Sequence, residues 1–110
     1  MNEVEEFYEL VKDEPWLEKA TIMSYEAGGV LEQAKYLAWA DEGKLPADDI
    51  RVLRGKLKSN LMDVMIQAWA LCLQTGEDPE EWLALGAEKA ISAYKKRKEG
   101  KLHDHVEHKW

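Results

Sequence analysis

Ser59-Asn-Leu-Met-Asp-Val-Met-Ile-Gln67 lies inside a run, from about Ile50 to Gln74, whose apolar residues return every three or four positions. Leu53, Leu57, Leu61, Val64, Met65, Ala68, Leu71 and Cys72 carry that rhythm, which is the period of an α-helix. Inside it, Asn60 and Asp63 are three apart and therefore share a helix face. Tyr25-Glu-Ala-Gly-Gly-Val-Leu-Glu32 repeats the arrangement upstream, with Glu26 and Gly29 at the same spacing. Packed together, two such helices would aim these positions at one spot.

The same period extends outward in both directions. Val4, Phe7, Tyr8 and Val11 predict a first helix that ends before Pro15. A second begins near Pro15, runs through Leu17, Ala20, Ile22, Met23, Val30, Leu31, Ala34, Leu37 and Ala38, and stops around Asp41-Glu-Gly43. Lys44-Leu-Pro-Ala-Asp48 reads as a loop, with Asp48 or Asp49 available to cap the third helix. At Thr75-Gly-Glu-Asp-Pro79, Gly76 closes one helix while Asp78 and Pro79 open the next, with Glu81 completing a capping-box-like arrangement. That fourth helix carries Trp82, Leu85, Ile91 and Tyr94 and frays after Lys98. No stretch alternates with period two, so the expected fold is all-α: a four-helix bundle with two long central helices over 1–98, and a tail over 99–110. Apolar residues on more than one face of the long helices, with Trp39, Trp69 and Trp82, predict a homodimer or a homotetramer.

Composition narrows the function. The 110 residues carry a net charge of −7, which argues against binding nucleic acid, because phosphate contact needs a positive surface. A mean hydropathy of −0.53, and a longest apolar run of only Ala68-Trp-Ala-Leu-Cys-Leu73, argue against a membrane span. The opening Met-Asn-Glu-Val-Glu-Glu is acidic where a signal peptide would be basic and then apolar, and the expected compartment is the cytoplasm. Cys72 is the single cysteine, which leaves no intrachain disulfide or thiolate cluster; its apolar surroundings fit a packed residue better than a nucleophile. Tyr94-Lys-Lys-Arg-Lys98 is cationic and fits either a helix end that complements its dipole or a phosphate contact. His103, His105 and His108 have metal-binding side chains but irregular spacing in a terminal segment.

The helix order and the two motifs resemble the MazG-like all-α nucleoside triphosphate pyrophosphohydrolases, whose signature is Glu-x-x-Glu in one helix and Glu-x-x-Asp in the next. Tyr25–Glu32 resembles the first motif, with Gly28 in the family's glycine position, and Ser59–Gln67 resembles the second, including Asp63 and Gln67. Asp78-Pro-Glu-Glu-Trp82 running into Lys89 resembles the following helix, so that the likeness covers roughly residues 1–98. It implies hydrolysis of a nucleoside triphosphate to monophosphate and pyrophosphate, with Mg²⁺ or Mn²⁺ held by carboxylates on neighbouring helices. Carried over by position, Glu26 and Asp63 are the retained metal ligands, and Asn60 offers a neutral oxygen in place of a carboxylate. Gly29 offers nothing, and Ser92 stands where the family has asparagine.

Glu32, one turn beyond Gly29, either reaches back as a substitute ligand or is an ordinary surface charge. Lys19 and Lys89 are the candidate phosphate contacts; Lys19, two turns before Glu26, and Lys56, two turns before Asp63, each either touch a phosphate or are ordinary solvated lysines. Trp16 or Tyr25 would stack on a base or belong to the core. The opposing reading is a catalytically degenerate relative, a nucleotide-binding or a structural or regulatory oligomer, that has lost acidic ligands at Gly29 and Asn60.

Overall fold

The computed structural model describes residues 2–100. It contains four α-helices: α1 (Glu3–Val11), α2 (Trp16–Asp41), α3 (Ala47–Gln74) and α4 (Pro79–Lys98), and no strand among the described residues. The expected all-helical class is therefore correct, and the four helices fall close to where the apolar period placed them. No helix among the described residues is long and apolar enough to cross a membrane. The three tail histidines lie outside the described residues.

Contacts divide the chain into two compact units, one up to Gly76 and one from Glu77 onward. The first is a helical hairpin with α1 folded against it. α2 and α3 pack along each other, joined by a turn in which Gly43 takes φ 75°, a left-handed conformation that costs glycine least. They run antiparallel: Asn60, in the middle of α3, meets Gly29 and Gln33 in the middle of α2. Gln74, at the end of α3, meets the residues just before α2, where its Nε2 donates to the carbonyls of Lys12 and Glu14 at 2.9 and 2.7 Å.

Local chemistry explains the helix starts. Asn2 caps α1, its Oδ1 accepting from the Glu5 amide at 2.8 Å. Asp78 caps α4 by accepting from the Glu80 amide at 3.0 Å, with Pro79 at the first helical position as the sequence suggested. The start of α3 corrects the sequence reading. Neither Asp48 nor Asp49 is the cap; Pro46 is, and both aspartates lie in the first turn, where their charge faces the positive end of the helix dipole. Proline fixes its own φ near −65°, so the chain enters the helix one residue after it without a side-chain cap.

Lys19 and the turn between α1 and α2 form the most enclosed polar feature of the hairpin. The side chain is 1% exposed. Its ammonium donates to the Val11 carbonyl at 2.8 Å and to the Glu14 carbonyl at 3.3 Å. Those carbonyls sit at and beyond the end of α1, and each has a second donor: the Glu14 amide for Val11 at 3.0 Å and Gln74 for Glu14. Lys19 from α2 and Gln74 from α3 together close the corner, with Gln74 Oε1 left as a buried oxygen without a partner. Ala70 and Cys72 are the buried apolar residues among those described, so the hairpin encloses little core of its own.

Candidate functional site

The site suggested by the sequence falls at the middle of the α2–α3 seam. Gly29 faces Asn60 so closely that a Cβ built on the glycine would lie 2.3 Å from Asn60 Nδ2 and 2.9 Å from its Cγ. Glycine at 29 leaves the space that the Asn60 side chain fills, and a methyl there would oblige that side chain to shift. Gly28 differs, with nothing within 4 Å of the equivalent position. The Asn60 amide is then fixed by Gln33, one turn along α2 from Gly29, whose Oε1 accepts from Nδ2 at 2.6 Å. Gln33 is 7% exposed. A glycine, an asparagine and a glutamine thus make a neutral, hydrogen-bonded contact at the position where the resemblance puts carboxylates.

The retained acidic residues flank this contact. Glu26 is one turn before Gly29 and Asp63 one turn after Asn60, so the antiparallel register brings them to the same level of the seam. Glu26 is half-buried, whereas Asp63 is exposed. Glu32 is exposed as well. Among the described residues, no group of three or more histidines, cysteines, aspartates or glutamates could hold a metal ion. A Mg²⁺ site of the kind the resemblance implies needs several hard oxygen donors with negative charge. Here Gly29 supplies no donor, and Asn60 offers at most one neutral amide oxygen in place of a carboxylate. The residues present do not fit that four-ligand set.

The candidate phosphate contacts are dispersed. Lys19 is enclosed at the α1–α2 corner with its protons directed at main-chain carbonyls, and it presents no free ammonium to a ligand. Lys89 lies on α4, in the other unit, and is exposed; Lys56 is exposed on α3. The cationic run Lys95, Lys96, Arg97 and Lys98 forms the last turn of α4, the position that favours positive charge. Arg97 and Lys98 each lie 5.4 Å from the Tyr94 ring centre. Trp16 and Tyr25 are 55% and 81% exposed, so neither is a core residue of the hairpin.

Gln33 is the residue that sequence reasoning missed. The signal was available: it lies seven residues after Glu26 and four after Gly29, on the same helix stripe, and a polar residue on a packed stripe asks for a partner.

No protein-family model, curated protein or solved structure matches this chain.

Proposed function

We propose that this chain is a MazG-like helical homologue that has exchanged its cation site for a neutral amide contact and serves as an assembling scaffold, without nucleoside triphosphate hydrolysis. The observation that supports it is the 2.6 Å bond between Asn60 and Gln33 over the side-chain-free face of Gly29. An amide held this way brings no negative charge to the position where the resemblance puts a carboxylate. The charge count agrees. Two of the family's four acidic positions are neutral, and a unit charge pair at 4 Å is worth about 4 kcal/mol near a protein surface. Losing even part of that for a divalent ion matters, since each ~1.4 kcal/mol of barrier is tenfold in rate.

One observation favours the competing reading, a working pyrophosphohydrolase: Glu26 and Asp63 occupy the same level of the seam. Both readings are tested by measuring pyrophosphate release from the common ribo- and deoxyribonucleoside triphosphates with Mg²⁺ or Mn²⁺. The expected result is no release above the blank, unchanged in Asp63→Ala. The double substitution Gly29→Glu with Asn60→Glu, which restores the acidic pair, should then create activity. Release by the natural sequence that Asp63→Ala abolishes would overturn the proposal in favour of the hydrolase.

A further inference from the structure

Near the Gly43 turn, α2 and α3 leave an open groove of about 400 Å³ between them, lined by Leu37 of α2 and by Ile50, Leu57 and Leu61 of α3. Its volume falls in the range of about 300–1,000 Å³ that small-molecule sites occupy. Ile50 and Leu61 stand about 16 Å apart along α3, so the apolar floor is elongated. Leu37, Ile50 and Leu57 are half-buried, and Leu61 is exposed. Neither Gly29 nor Asn60 belongs to the groove.

Two cations edge that floor. Arg54 and Lys58 lie one turn apart on the stripe of α3 that carries Ile50, Leu57 and Leu61. Lys12, Lys44 and Arg51 each sit beside an acid, Glu9, Glu42 and Asp48 respectively. Arg54 and Lys58 do not: among the described residues neither has an ion pair or a side-chain hydrogen bond. No acidic residue lies three or four positions from either, so α3 itself offers them no partner. Like charges at this spacing repel, and they stand together here in a chain whose net charge is −7. Among the described residues, Asp41 of α2 is the only carboxylate in the lining. Two positive charges against one negative leave a single positive excess beside an apolar floor.

We propose that this groove binds a monoanionic amphiphile: a carboxylate on a linear apolar chain, of the fatty-acid kind. The chain lies along Leu37, Leu57 and Leu61. The head group takes charge-assisted hydrogen bonds from the Arg54 guanidinium, whose fork matches both carboxylate oxygens, and from the Lys58 ammonium. Charge selects this head group. A phosphate with two negative charges exceeds the single positive excess and meets Asp41, whereas one carboxylate balances it. The floor selects the tail, because each methylene laid on it leaves water. The proposal goes beyond the scaffold reading and does not depend on it.

Titration of the isotope-labelled full chain with sodium decanoate, below its micellar concentration, tests this by NMR. Saturable shifts should centre on the amides of Leu37, Ile50, Leu57 and Leu61. From hexanoate to decanoate, affinity should rise about two- to fourfold for each added methylene. The double variant Arg54→Gln with Lys58→Gln should bind decanoate at least about tenfold more weakly. Both side chains are exposed, so helicity should be unchanged, and Lys35→Gln, outside the groove, should bind as the natural chain does. Decanol, which needs no variant, should also bind at least about tenfold more weakly than decanoate. Decanol binding as well as decanoate, or inorganic phosphate shifting the same amides at lower concentration, overturns the proposal. So does a synthetic helical peptide of leucines and glutamates that displaces decanoate at lower concentration, which makes the groove a protein-docking surface. Groove amides that move on dilution of the protein alone and ignore decanoate assign the groove to a second copy and overturn it too.

Discussion

Adjacent glycines in α2 have opposite roles, and substitution separates them. In an exposed helix, replacing glycine with alanine ordinarily stabilises by about 1 kcal/mol, because alanine loses less backbone freedom on folding. Gly28→Ala should show that gain, since nothing lies within 4 Å of the new methyl. Gly29→Ala should instead destabilise by about 1 kcal/mol, because its methyl collides with Asn60 and breaks the bond to Gln33. Combining it with Asn60→Ala should recover much of the loss, a non-additivity that urea titration of the four species would measure. At this scale the sequence was half legible. The departures at Gly29 and Asn60 stood out against the resemblance. That they compensate one another across the seam did not, because spacing along a helix says nothing about what fills the space opposite. Lys19 shows the same limit: nothing in its neighbourhood marks a lysine destined for enclosure, and its carbonyl partners come from a turn whose shape only the fold defines.

Boundaries between elements were more legible, for physical reasons that can be named. Asp78-Pro79 and Gly76 carry their backbone preferences in the residue itself, and the fourth helix begins where they direct. The third helix was misplaced by three residues, because the apolar rhythm begins at Ile50 while Ala47, Asp48 and Asp49 are helical without contributing to it. The α1–α2 corner depends on one side chain. Lys19→Met keeps most of the buried length and removes the ammonium, so that the Val11 carbonyl retains only the Glu14 amide at 3.0 Å and the Glu14 carbonyl only Gln74 Nε2 at 2.7 Å. A hydrogen bond from a charged donor contributes about 1.5–3 kcal/mol, and the thermal midpoint should fall accordingly, with helicity kept at low temperature. A midpoint that stays or rises would show the ammonium to be dispensable at that corner.

The hairpin as a whole exposes more apolar surface than its small interior can balance. Leu31 at 65% and Met65 at 69% exposure are examples, and long helices in water draw most of their stability from packing. The excess was foreseeable from apolar residues on several faces, which is why the sequence predicts assembly. Stability coupled to association has a simple signature: the unfolding temperature should climb with protein concentration, and a midpoint independent of concentration would count against assembly.

The enclosed ε-amine of Lys19 has a consequence for chemistry done on the protein from outside. Amine-acylating reagents need a lone pair that they can approach, and this nitrogen offers none while the corner is shut. Exposed lysines such as Lys35 and Lys56 should be modified at once. Residue 19 should label only as fast as α1 peels away, so the lag at that one peptide becomes a clock for local opening.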